Sequence, residues 1–158
     1  MTTKQGMAKA SNSSSATLQY ATFYVGDMFM GIELSRVQEL MRYQEMAPVP
    51  LATFAIEGLI NLRGQIVTAL DIRRLFSLEP MKDDEAHPMS IVIHSEDGAV
   101  SLLVDEICDV LNVPSEAWTG LPENLPAEQR HLLQGVYQLE SCLLMVLDTE
   151  CVLSLEPH

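Results

Sequence analysis

Arg63 stands in the string Gly-Leu-Ile-Asn-Leu-Arg-Gly-Gln-Ile-Val, residues 58–67, a charged side chain beside a glycine between two apolar runs. A guanidinium so placed can grip a carboxylate or backbone carbonyls bidentately. A turn charge that meets only water is the plainer alternative. Downstream, Asp71 has Arg73 and Arg74 close by, which suits an ion pair better than general acid work. Asp83-Asp84-Glu85 could attract a cation, but it lies between prolines without spaced ligands, the pattern of a solvated loop. His87, His94, His131 and His158 are scattered, and Cys108, Cys142 and Cys151 include no CxxC pair. The cysteines are expected to be buried, reduced thiols. The chain has no G-x-S-x-G, P-loop, HExxH or Rossmann fingerprint, so no enzyme, cofactor or metal site is expected.

The elements that must position these residues are short strands. Residues 58–76 predict a strand, a tight turn at Arg63-Gly64, a second strand and a basic helix start, with glycine supplying the permissive backbone of the turn. Leu59, Ile60, Leu62, Ile66, Val67, Ala69 and Leu70 make this a mostly buried hairpin. An earlier hairpin runs from Leu18 to Val25 and from Met28 to Leu34 about Gly26-Asp27. Ser35 is placed to cap a helical turn over Arg36–Leu40 with Val37, Leu40 and Met41 inward. Ala47-Pro48-Val49-Pro50 must run extended, and Ala52–Gly58 is expected to open with one helical turn. The stretch 77–88 reads as an acidic loop. Beyond it come a hairpin about Asp97-Gly98, a strand over Asp109–Val113, an irregular loop from Pro114 to Pro126 and a last hairpin, 134–147. Trp118 in that loop is expected to pack on the fold, and Asp148 to cap a helix through Leu155.

About ten short strands with few helices indicate paired small barrels or a sandwich. At 158 residues the chain is one domain's worth. Residues 1–17 are polar and aperiodic, a tail predicted to be disordered, while 18–153 form the folded domain and 154–158 a short C-terminal tail. No apolar run reaches membrane-spanning length and the N-terminus lacks a signal-peptide core, so a cytoplasmic location without direct membrane insertion is expected. Residues 1–76 carry seven Lys/Arg and six Asp/Glu, whereas 77–158 carry two and sixteen. Such a chain repels phosphate, which excludes nucleic acid as a partner and suits oriented protein contacts, or simply solubility.

Residue order adds what periodicity cannot. The strings G-x-x-N-L-R-G-x-I-V and D-I-R-x-L-F within 58–76, FYVGDMFMGIELSRVQELMRY at 23–43, SLLVDEICDVLNVP at 101–114 and GVYQLESCLLMVLDTECVL at 135–153 together resemble the CheW family, the coupling proteins of bacterial chemotaxis. The resemblance implies a mainly β fold, two packed five-stranded SH3-like β-barrels with short helices. It implies a non-catalytic adaptor joining the cytoplasmic tips of chemoreceptors to the regulatory domain of a CheA-type histidine kinase, recruited to membrane-associated arrays. Val37, Glu39, Gly58 and Arg63 fall where the family contacts the receptor, and Tyr43 and Met46 where it approaches the kinase.

Array-forming members tend to carry a basic and an aromatic residue where Thr119 and Asn124 stand here, so the sequence departs from the family pattern at the ring-closing kinase contact and leaves that contact open. Two other functions stay open at this point. One is an accessory scaffold of a pilus, gliding or other chemosensory-like pathway. The other is a small-ligand binder or enzyme on the same barrels, which an apolar pocket with convergent polar groups would favour.

Overall fold

A computed structural model of the chain describes residues 17–42, 45–49, 55–80, 87–96 and 98–154. The strands are β1 (Thr17–Val25), β2 (Met28–Glu33), β3 (Val37–Met41), β4 (Ile56–Leu62), β5 (Gln65–Asp71), β6 (Met89–Ser95), β7 (Gly98–Val104), β8 (Glu106–Pro114), β9 (Trp118–Gly120), β10 (Leu133–Gln138) and β11 (Leu143–Leu147). Three short helices join them: α1 (Ile72–Leu75), α2 (Ala127–Arg130) and α3 (Thr149–Leu153).

Six strands form one sheet in the order β8-β1-β2-β11-β10-β9, and five form the other in the order β3-β6-β7-β5-β4. The fold is mainly β, with two packed SH3-like units, and the three-residue β9 is the strand that takes the first sheet to six. Both ends of the chain build the first sheet, while the second is continuous from β3 to β7. In each sheet one parallel pair joins the antiparallel hairpins: β2 with β11 in the first, β5 with β7 in the second. Strand exchange of this kind leaves no trace in local sequence.

The period of two in each strand decides what is buried where. In β1, Ala21, Phe23 and Val25 enter the main core while Tyr20 faces a second cluster with Val113, Tyr137, Leu144 and Val146. The second sheet sends Ile91, Ile93, Val100, Leu102 and Leu70 into the same main core, so one apolar layer joins the two halves. Each such side chain contributes about 1.5–3 kcal/mol on burial. Tyr20 and Tyr137 meet edge to face at 5.4 Å and share a hydrogen bond of 3.1 Å between their hydroxyls.

Several sequence expectations need correction. Residues 34–36 form a 3-10 turn, and Val37–Met41 is a strand, not a helix. A bulge between Val37 and Glu39 sets Val37 opposite Ile93 and Leu40 opposite Ile91, two residues on one face of β6. The bulge therefore produces the three-residue spacing that suggests a helix. Ile56–Gly58 is already strand, with residues 50–54 outside the described residues. Within Pro114–Pro126 lie a 3-10 turn and β9, and α2 follows unforeseen. The α3 helix starts on its expected cap, Asp148 accepting from Cys151 N at 3.1 Å, but ends at Leu153. The thiols are not buried: Cys142 is exposed, and Cys108 and Cys151 are half-buried. Burial, then nearby carboxylates, push the Cys108 and Cys151 thiols up, away from thiolate chemistry.

Candidate protein-interaction surface

The β4–β5 hairpin turns on Arg63 and Gly64, whose φ values of 51° and 88° are both positive. Two-residue hairpins use this mirror-image turn because its twist matches that of the flanking strands. Asn61 Oδ1 accepts a hydrogen bond from Gly64 N at 3.0 Å and braces it. The Arg63 side chain is 71 % exposed, and its guanidinium is not idle: it pairs with the Glu39 carboxylate of β3. Since β3 and β4 stand at opposite ends of the strand order, this ion pair crosses between the sheet's two edges. Met41 of β3 packs in the same cluster as Leu62 and Val67, so the sheet curls closed there.

Exposed apolar side chains lie on the same half of the fold. Leu40 on β3 is 44 % exposed and Ile66, two residues past the turn, is 60 % exposed. By register both share the face that carries the main core: Leu40 through Ile91, Ile66 through Thr68 and Leu70 along β5. They extend that face beyond the part the first sheet covers, while Val37 lies half-buried against the main core. Sequence reasoning placed Leu40 inward on a helix and Ile66 in a buried hairpin. The adjacent apolar pair Ile66-Val67, only one of which can face inward on a strand, was the signal for Ile66, and the bulge hid Leu40.

Gly58 and Met46 come together at the other end of β4. Ala47 bridges Leu59 through hydrogen bonds of 2.9 and 2.8 Å, laying residues 45–49 along β4. A Cβ at Gly58 would stand 2.6 Å from the Ala47 carbonyl oxygen and 3.0 Å from Met46 Cβ, so only glycine admits this approach. Met46 packs on Ile60, Ala69 and Leu103. Thus Glu39 and Arg63 meet at one end of the hairpin, and Gly58 and Met46 at the other. Tyr43 and Asp83-Asp84-Glu85 lie outside the described residues.

Below Met46 is a cavity of about 300 Å³ whose walls include Leu103, Glu57, Asp71, Arg73, Arg74 and Asp105. Its charges are paired among themselves. Asp105 accepts from Arg73 Nε at 2.8 Å and Nη2 at 2.6 Å, and from Gly26 N at 2.7 Å. Arg74 pairs with Glu57 at 2.6 Å and Asp71 at 3.4 Å, and Asp71 caps α1 through Arg73 N at 2.9 Å. Burial pushes the Asp105 carboxyl up, but the Arg73 hydrogen bond, the Gly26 N–H and the Arg73 charge outweigh it and hold it below the ordinary range. Paired groups of this kind are structural ties rather than a poised acid and base. Among the described residues no group of three or more His, Cys, Asp or Glu could hold a metal ion, and no helix is long and apolar enough to cross a membrane.

The family profile described as the CheW-like domain matches residues 19–156. A chemotaxis protein CheW of Klebsiella aerogenes is 29% identical over 153 residues, covering 96% of this chain and 92% of that protein. Those of Treponema pallidum and Bacillus subtilis are 27% and 28% identical, covering 82% and 85% of this chain and 78% and 85% of theirs. In fold the chain is similar to the scaffolding protein TtCheW from Thermoanaerobacter tengcongensis, with a TM-score of 0.75 at 17% identity over 84% of this chain and 90% of that one. With the profile spanning both sheets and the Arg63 hairpin, the chain belongs to the CheW-like family.

Proposed function

We propose that this member of the chemotaxis scaffold family is a non-catalytic adaptor that couples the cytoplasmic tips of chemoreceptors to the regulatory domain of a CheA-type histidine kinase. The carrying observation is the Arg63–Glu39 pair between the edges of the second sheet, with the exposed apolar side chains of Leu40 and Ile66 on the same half. Exposed apolar side chains and a restrained charge pair on one half are the residue types that form the anchors and polar rim of a protein interface.

The receptor side comprises Val37, Glu39 and Arg63, extended by Leu40 and Ile66. The kinase side comprises Tyr43 and Met46; Gly58, which the resemblance sets at the receptor contact, is reassigned here to the seat of Met46, because a Cβ at that position would meet Met46 and the Ala47 carbonyl. The paired charges around the cavity speak against the ligand-binding alternative, because an incoming polar group would have to displace an existing ion pair.

The test is a pair of titrations, one with a soluble receptor-tip fragment and one with the kinase regulatory domain. Leu40→Ser with Ile66→Ser should weaken the first by tenfold or more and leave the second unchanged. Equal loss in both, or in neither, would remove the assignment of this face to the receptor.

A further inference from the structure

The β6–β7 hairpin divides its side chains between two interiors. Ile91, Ile93, Val100 and Leu102 face the main core, while Ser90, Val92, Ala99, Ser101 and Leu103 face into the second half itself. On that inner face the apolar residues do not merge. Leu62, Val67, Val92 and Ala99 make one cluster, and Ile60, Ala69 and Leu103 another. Ser90 and Ser101 stand in the break.

The register sets Ser90 opposite Leu103 and Ser101 opposite Val92, so the two serines are diagonal neighbours on one face. Such positions lie about 7–8 Å apart at Cα, and closer at Cβ. Both residues are 0% exposed, and neither hydroxyl meets a hydrogen-bond partner in the protein. A third such oxygen, Ser95 Oγ, belongs to the far end of β6. Nearly all buried hydroxyls in folded proteins are satisfied, so two together on one face need an account. Their lateral neighbours are Met41 and the small, fully buried Ala69. The side chains at 69, 90 and 101 are all small.

We propose that Ser90 and Ser101 form an internal hydration site, holding one ordered water that bridges their hydroxyls inside the second half. A water bonded at about 2.8 Å to each of two oxygens spans the gap expected between diagonal serines. The free lone pair of a neighbouring strand carbonyl supplies the third bond that buried waters usually make. The site divides the interior into two apolar clusters, one reaching Met41 and the other Met46.

Ser90→Ala, Ser101→Ala and the double variant test this through melting midpoints and water-to-protein magnetisation transfer by NMR. Either single substitution should evict the same water. Each should therefore lower the midpoint by roughly 2–4 °C, and the double variant should melt no more than about 1 °C below the worse single. The transfer to the remaining serine should vanish in each single variant. Removing a hydroxyl that has no partner at all would leave stability unchanged or raise it. Single variants that melt at or above the parent, additive losses in the double, or no long-lived water signal in the parent would each overturn the site. None of these measurements involves a receptor or kinase, so the result stands apart from the proposed function.

Discussion

Arg63 and Glu39 hold each other across the edges of the second sheet, the arginine from the β4–β5 turn and the glutamate from β3. The arginine is largely exposed, and exposed pairs contribute about 0–1 kcal/mol to stability. Their value is orientation. Arg63→Ala should move the melting midpoint little, yet lower receptor-tip affinity at least roughly tenfold, which takes about 1.4 kcal/mol. Kinase-domain affinity should persist. Because the partner is Glu39, Glu39→Arg should weaken the receptor similarly, and the swap Glu39→Arg with Arg63→Glu should recover part of the loss. Receptor titrations that leave Arg63→Ala at parental affinity would reduce the pair to a solvated ornament of the turn.

A second ion pair ties the two halves, and its stability should depend on pH. Asp105 stands between β7 of the second sheet and β8 of the first, binding Arg73 from one half and Gly26 N from the other. Its folded pKa is depressed below the unfolded value of about 3.9. The stability it supplies is therefore present above that value and is lost as pH falls through the folded pKa. Asp105→Asn should cost about 1.5–3 kcal/mol near neutrality, the range for hydrogen bonds to charged groups. That difference should shrink below about pH 4 as the parent carboxylate takes up its proton. Melts at a series of pH values decide this: a difference that stays constant into acid would mean that Asp105 acts by packing alone.

The hairpins were legible because turn glycines and β-rich runs are local signals. Gly26, Gly64 and Gly98 each mark a reversal, and each has positive φ. Arg63 was legible as a tip charge but its partner was not, since Glu39 is distant in sequence and meets it only when the sheet closes. The helical turn expected over Arg36–Leu40 failed for a stated cause, the bulge that gives the strand Val37–Met41 a three-residue spacing. Pairing of β2 with β11 could not be foreseen, because no residue pattern in a parallel pair names its partner.

Trp118, the single tryptophan, lies edge to face with Tyr137 at 4.9 Å. Its six-membered ring also covers Gly135, and a Cβ at that position would run into the ring. Gly135→Ala should therefore push the indole outward, where it is already 41 % exposed. The expected result is a red-shifted tryptophan emission and a loss of about 1–3 kcal/mol, typical of overpacking. Unchanged emission with unchanged stability would show that the ring yields freely and that its contacts with Gly135 and Tyr137 contribute little.

Gly58 separates a supporting role from a direct one. Its missing side chain lets the Ala47 carbonyl approach, and the obstacle to a Cβ there is backbone, which cannot swing aside as a flexible side chain would. Gly58→Ala should displace residues 45–49, break the two hydrogen bonds to Leu59 and cost about 1–3 kcal/mol. Met46 moves with that segment, so kinase-domain affinity should fall while the Arg63–Glu39 end keeps its receptor affinity. Met46→Ala should also lose stability, because Met46 packs on Ile60, Ala69 and Leu103, whereas Met46→Leu should nearly preserve the fold. Titrating both partners against Gly58→Ala and Met46→Leu isolates the effect. If Gly58→Ala lost receptor binding and kept the kinase, the glycine would belong to the receptor surface and not to the seat of Met46.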